Sequence, residues 1–192
     1  MKTKIISCCA GLVFLLACCE TSSFYYVMNV SNTFEYTVNH TGRFTENYEV
    51  LASEVNSDLD LPDDAIVRGV FIEALSVRTE TLSENEADGI KLDGWIMTNE
   101  TVQFLDEFVM PVEPGQSDFI RLGNLVTDGI IKIQESFEGF ILDGNPSSVG
   151  FRLEGDSDPN PGETIDMNIL IELTLSVSYE IESEVPWFMK GG

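Results

Sequence analysis

Ile165, Met167, Ile169, Ile171, Leu173, Leu175, Val177, Tyr179 and Ile181 stand at nine successive odd positions, and the residues between them are polar except Leu170. Successive side chains of a β-strand point to opposite faces, so this period of two demands one buried and one wetted face over 17 residues. At about 3.3 Å per residue such a strand runs roughly 56 Å if straight, whereas ordinary strands hold about 5–6 residues. A chain carrying it must curl the strand, bulge it, or pass it through two sheets of a sandwich or barrel.

Shorter segments carry the same signal. Phe34, Tyr36 and Val38 alternate with Glu35, Thr37 and Asn39; Leu75, Val77 and Thr79 alternate with Ser76, Arg78 and Glu80; Val149, Phe151 and Leu153 alternate with Gly150, Arg152 and Glu154. Ile90 to Met97 reads as a further strand, with Gly94 marking a bulge and Trp95 in the core. Turn chemistry punctuates these runs at Asn39-His40-Thr41-Gly42, Leu61-Pro62-Asp63-Asp64, Glu113-Pro114-Gly115, Asp143-Gly144-Asn145-Pro146 and Asp158-Pro159-Asn160-Pro161-Gly162. One segment, 124–141, fits a helix capped by Asn124 with Ile130, Ile133, Phe137 and Phe140 or Ile141 on one face. Gly129, Gly139 and the β-branched pair Ile130-Ile131 oppose that helix, and alternation from Ile131 to Ile141 fits a strand nearly as well; the helix is the expectation taken. The expected architecture is mainly β, a single immunoglobulin-like two-sheet sandwich over residues 24–192 with one short helix around 124–141.

The N-terminus has a different character. Lys2 and Lys4 precede an apolar run from Ile5 to Leu16, twelve residues long, which is too short for a transmembrane helix of about 20 residues and suits an export signal. Leu15-Leu16-Ala17-Cys18 follows, with an aliphatic residue three before the cysteine and a small one directly before it. This segment resembles the signal peptide of bacterial lipoproteins. The resemblance covers residues 1–18 only and implies cleavage before Cys18, lipid attachment to its thiol and acylation of its new amino group. Residues 1–17 are then the signal peptide and 18–23 a lipidated tether. Cys19 instead of Asp after the lipidated residue implies, by the same resemblance, an outer-membrane address in the cell envelope. Phe24-Tyr25-Tyr26-Val27-Met28 reads as an early strand or as apolar surface resting near the bilayer.

All four cysteines lie within the first 19 positions, so the body has no disulfide framework and no thiolate metal site. The full chain carries a net charge of −23; without Lys2 and Lys4, 33 acidic residues face eight basic ones, giving −25. Such a surface repels nucleic-acid phosphates and anionic headgroups, so nucleic acid is excluded as a partner. An envelope protein or a glycan fits better.

Chemistry-bearing patterns are sparse. Asp156, Asp158 and Asn160 place oxygen ligands at alternate positions, as a hard cation such as calcium requires. The match to a helix-loop-helix calcium loop then stops, because Pro161 stands where the loop glycine belongs and Met167 where the bidentate Glu belongs. A polar hairpin loop without metal is the plainer expectation, and no cofactor is expected otherwise. His40 is the only histidine, so a Ser-His-Asp triad would have to use it. Carboxylate pairs such as Glu135/Glu138 or Asp106/Glu107 carry no specificity among so many acids. Pro186-Trp187-Phe188-Met189 forms an apolar cluster that docks on the body or faces a partner. The expected function is non-catalytic binding, adhesion or envelope structure. A carrier of an apolar ligand and a carboxylate-dependent glycan hydrolase are the alternatives.

Overall fold

Because odd side chains of the C-terminal segment are apolar and even ones polar, the segment can bury only one face. The computed structural model, which describes residues 19–186, has it doing so: Ile165, Met167, Ile169, Leu173, Leu175 and Val177 are fully buried, while Asn168, Leu170, Glu172 and Thr174 lie half-exposed on the other side. The strand runs from Thr164 to Pro186 without interruption. It stays in one sheet. The irregularities fall instead in a neighbouring strand, whose pairing shifts register between Val67 and Gly69 and between Ile72 and Ala74.

In chain order the elements are β1 (Cys19–Thr41), β2 (Phe44–Leu51), α1 (Ala52–Asp58), β3 (Ala65–Thr81), β4 (Gly89–Met97), β5 (Thr101–Pro111), β6 (Ile120–Arg121), α2 (Thr127–Asp143), β7 (Ser148–Ser157) and β8 (Thr164–Pro186). Two four-stranded sheets form, ordered β1-β8-β3-β6 and β2-β7-β4-β5. Every pairing is antiparallel, and β1 joins β8, β2 joins β7, β3 joins β6 and β4 joins β5. The chain is thus a long ribbon, its two halves paired end to end and then rolled so that β8 meets β3 and β7 meets β4. The mainly β, two-sheet sandwich expected from the sequence is present. Its strand order, however, is that of an eight-stranded jelly roll and not an immunoglobulin order, in which the first strands pair locally. Alternation reveals which face of a strand is buried and says nothing about which strand lies beside it.

The core sits between the sheets. Phe34 of β1 stacks on Phe151 of β7 with ring centroids 5.4 Å apart, and Phe104 of β5 meets Phe151 edge-on at 5.9 Å. Helix α2 packs on β3 of one sheet and on β4 and β5 of the other, burying Ile133, Phe137 and Phe140 completely. Gly129 makes this possible: a Cβ there would fall on the backbone of Gln103 and Phe104. The glycine that weakened the helix as a sequence is what lets the helix approach β5. Asn124 does not cap it; Val126 is the N-cap and the helix begins at Thr127. Helix α1 buries Ala52 and Val55, and Asn56 Nδ2 donates to the Phe140 carbonyl at 3.0 Å.

Two local expectations meet a different outcome. Residues 19–23, expected as a tether, are the first residues of β1 and pair with residues 182–186 of β8. Trp95, expected in the core, faces outward from β4, because Leu92, Gly94 and Ile96 take the inner positions; the guanidinium of Arg152 lies 4.6 Å from its ring centroid. Gly94 does mark a bulge, with the β4–β5 register shifting on both sides of it. Residues 1–18, including Cys18, and the cluster after Pro186 lie outside the described residues. No helix among the described residues is long and apolar enough to cross a membrane.

Two acids are almost fully buried, Asp166 and Glu180, and Glu180 is the one paired with a cation. Glu180 pairs with Arg68 at 2.7 Å, the carboxylate side chain being 5% exposed and the arginine 50%. A hydrogen bond from the Ser23 hydroxyl, aided by Arg68 and opposed by burial, holds the Glu180 carboxyl below its ordinary value. A lowered native pKa stabilises the fold above the unfolded value and loses that contribution as pH falls through the native one. Glu180→Gln should therefore flatten the decline of stability below the ordinary carboxyl value of 4.5, read by denaturant titration across acid pH. The strand's parity gives a second prediction. Leu173→Ala, at a fully buried position, should cost about 2–5 kcal/mol, whereas Leu170→Ala on the outer face should cost under about 1 kcal/mol.

Candidate functional site

The outer face of the β2-β7-β4-β5 sheet collects side chains that neither core nor sequence motif claims. From β4 come Lys91, Asp93 and Trp95, from β7 Arg152, Glu154 and Asp156, from β5 Glu107, and from the β1–β2 turn Arg43. Lys91, Asp93, Glu107, Arg43, Asp156 and the backbone of Gly155 line a cleft of about 280 Å³. Three of the eight basic residues after Lys4, Arg43, Lys91 and Arg152, stand on this one face.

Ion pairs fix these groups. Arg43 bonds Glu154 Oε2 at 2.6 Å and Arg152 approaches Oε1 of the same carboxylate at 3.3 Å, so Glu154 bridges two guanidinium groups. Lys91 Nζ donates to Glu107 Oε1 at 3.0 Å. That hydrogen bond, with the charge of Glu107 and the neighbouring Asp93, holds the Lys91 ammonium above its ordinary range. It is therefore a fixed cation at neutral pH.

Glu107 has an unusual backbone. Its φ of 45° lies in the left-handed region, which a residue with a Cβ enters at a cost of order 1 kcal/mol. The conformation is held from two sides. Its own N–H donates to Asp93 Oδ1 at 2.8 Å, and its carbonyl accepts from Asn124 Nδ2 at 3.3 Å. Asn124 is itself left-handed, with φ of 52°, and its carbonyl accepts from the Asp106 N–H at 3.1 Å. The residue expected to cap a helix instead braces the bulge that aims Glu107 at Lys91. Sequence reasoning missed this cleft, since its members come from distant strands and each resembles an ordinary outward residue. The one available signal was the scarcity of cations.

The loop expected as a calcium candidate lies at one edge of the cleft and closes the β7–β8 connection. Asp156 Oδ1 accepts from the Ser157 N–H at 2.8 Å and the Gly162 N–H at 3.2 Å. Ser157 Oγ donates to the Asn160 carbonyl at 2.7 Å and accepts from the Glu163 N–H at 3.0 Å. Asn160 Nδ2 donates to Glu163 Oε1 at 3.0 Å. Asp158 contributes its N–H to the Gly89 carbonyl at 2.9 Å. The three candidate ligands thus do separate structural tasks, and among the described residues no group of three His, Cys, Asp or Glu side chains is placed to hold a metal ion. His40 lies exposed near the end of β1, opposite Ile165, and is not among the residues that line the cleft. Glu135 and Glu138 lie on α2, where Glu135 lines shallow surface depressions with Lys132.

No family model matches the chain, and no curated protein matches it. Among solved structures, a likeness is found to Desmodium yellow mottle tymovirus, with 10% identity, a TM-score of 0.32, and coverage of 83% of this chain and 90% of that one. Turnip yellow mosaic virus gives 11% identity and a TM-score of 0.29 over 83% of each chain. The infectious bursal disease virus Gx strain gives 8% identity and 0.31 over 88% of this chain and 44% of that one. Likenesses this distant say nothing about what the chain does.

Two outcomes test the loop. Asp156→Ala removes an acceptor shared by two backbone donors and should lower stability by about 1–3 kcal/mol, with Asp156→Asn recovering most of it. Melting in excess calcium and again with chelator should give the same midpoint; a rise in calcium abolished by Asp158→Ala would establish a metal site instead.

Proposed function

We propose that this chain is a lipid-anchored cell-envelope protein that binds a glycan, without catalysis, at the cleft formed by Arg43, Lys91, Asp93, Glu107 and Asp156. Cys18, at the end of the lipoprotein-like segment, carries the anchor in this reading and places the domain at the outer membrane. Several acyl chains on one residue hold a protein in a bilayer where a single chain binds only reversibly.

The observation that carries the binding reading is Glu107. A non-glycine residue held at positive φ by two side chains outside its own strand is a local cost that the fold bears at the rim of a cleft. Strain of that kind concentrates at functional positions. The chemistry of the cleft supports a glycan. Sugar hydroxyls donate and accept hydrogen bonds at once, and here guanidinium and ammonium donors alternate with three carboxylates on rigid strands. A nucleic acid would meet the same carboxylates and a chain of net charge −25.

The two alternatives have less behind them. An apolar carrier needs a hollow interior, and the inward side chains of β8 are packed to full burial. A hydrolase needs an acid kept from solvent, and Glu107 is 67% exposed and already paired with the 41%-exposed Lys91. Binding is the role proposed.

Glu107→Gly supplies the decisive test, because glycine adopts the left-handed conformation freely. The variant should be as stable as the parent or up to about 1 kcal/mol more so, and it should lose retention on purified envelope polysaccharides that the parent shows. Arg43→Ala should weaken retention as well. A parent chain that is retained by no envelope polysaccharide would remove the glycan reading. The anchor has its own check: radiolabelled palmitate should enter the parent chain in cells and not Cys18→Ser.

A further inference from the structure

Strand β1 is an edge. It pairs only with β8, along its whole 23-residue length, and no other backbone hydrogen bond reaches its free side among the described residues. An exposed edge is a template for another strand, and proteins ordinarily blunt it with charge, bulges, brevity or a covering segment. The other three edges of this sandwich do so. β6 is two residues long, β2 carries Glu46 and Glu49, and β5 is bulged and covered by residues 124–126, whose backbone bonds Phe104 and Asp106. β1 has none of these devices from Thr21 to Ser31. Those eleven residues contain no charged side chain and no proline, in a chain with 33 acids.

Within that stretch the apolar residues occupy both faces. Phe24 and Tyr26 are each 44% exposed on the face that continues the core, and Tyr25 and Val27 are 73% and 68% exposed on the opposite face. Tyr26 is held by Tyr179 of β8, the rings stacked at 5.4 Å. A bilayer or flat partner lying against one face would leave the other set in water. Edge pairing covers both at once.

We infer that β1 pairs with β1 of a second copy of this chain, antiparallel about a two-fold axis at Tyr26. Two-fold antiparallel pairing sets residues of the same face opposite each other, and the sequence around Tyr26 is self-complementary under that operation. Tyr26 meets Tyr26, Tyr25 meets Val27, Phe24 meets Met28, Ser23 meets Asn29 and Thr21 meets Ser31. Apolar side chains thus lie opposite apolar ones and polar opposite polar at those positions, the pairing that stabilises cross-strand neighbours; Ser22 opposite Val30 is the one mismatched pair in the ladder. The ladder has a natural end. Beyond Ser31 the strand runs beside Glu54 and Asp58 of α1, which share a cleft with Ser31, Asn32 and Thr33, so a second chain would meet carboxylates there. Pairing over residues 21–31 puts the two bodies at opposite ends of the shared ladder, and the two four-stranded sheets become one of eight strands. The inference is independent of the glycan cleft, which lies on the other sheet.

The test uses the full chain, extracted in mild detergent, in a Cys19→Ser background. Tyr26→Cys should give a reducible dimer or one captured by a short thiol-to-thiol linker, and Thr37→Cys, exposed on the same strand but outside the ladder, should not. Val27→Glu, at a solvent-exposed site, should raise the concentration for half-dimer at least tenfold in sedimentation, with an unchanged circular dichroism spectrum as the control for folding. A chain that is monomeric throughout, or one that captures through Thr37→Cys as readily as through Tyr26→Cys, overturns the proposal. So does a monomer that binds zwitterionic vesicles through Tyr25 and Val27.

Discussion

The structure depends on one ladder, between the first strand and the last. β1 and β8 pair residue for residue from Cys19–Pro186 to Thr41–Thr164, so chain segments separated by most of the sequence must meet before the first sheet has a centre. β3 can add only to a β8 already in place, β6 only to β3, and the second sheet is wrapped by the same roll. Such long-range pairing closes large loops before contacts reward them, which makes jelly rolls slow to fold relative to helical proteins of similar size. It also explains why β8 carries so regular a pattern. As the central strand gripped from both sides, it has least freedom to slip, since a shift of one residue would turn Ile165 through Val177 to solvent and Glu172 inward.

The charge distribution follows from the same ribbon. With 33 acidic residues against eight basic ones after Lys4, the surface is dominated by like charges that repel one another, and two regions depart from that rule. One is the free edge of β1 near Tyr26, which has no charge at all. The other is the outer face of the second sheet, where Arg43, Lys91 and Arg152 gather and Glu154 and Glu107 pair with them. The sandwich turns each departure toward a different side of the molecule, because β1 belongs to one sheet and the cleft to the other. Self-association through the edge therefore leaves the cleft open.

Fold class was legible because burial periodicity is a local property. Leu75-Val77-Thr79, Phe34-Tyr36-Val38 and the β8 run each disclose a buried face within a few residues, and Gly94 discloses a bulge. Strand order was not legible, because the pairing of Thr41 with Thr164 leaves no mark in either segment's pattern. The helix over 127–143 was nearly hidden by Gly129, whose value lies in a tertiary contact with Gln103. Trp95 was misplaced for a related reason: a large aromatic in an apolar run is ordinarily core, yet its parity is set by Leu92 and Ile96, which outnumber it on the inner side.

The cleft was least legible of all, and its physics says why. Glu107 does not belong to a residue type that betrays left-handed backbone, Asn124 belongs to one that does but stood where a helix cap was expected, and the positive-φ glycines Gly42 and Gly162 serve turns. What distinguishes Glu107 is the pair of constraints upon it, Asp93 from β4 and Asn124 from the segment before α2. These constraints exist only once the roll is complete. A bulge relaxed to ordinary strand geometry would release the Asp93 and Asn124 bonds and redirect the carboxylate away from Lys91. The site is therefore a product of the closed sandwich, and its geometry should persist only as long as β4, β5 and the 124–126 segment remain packed together.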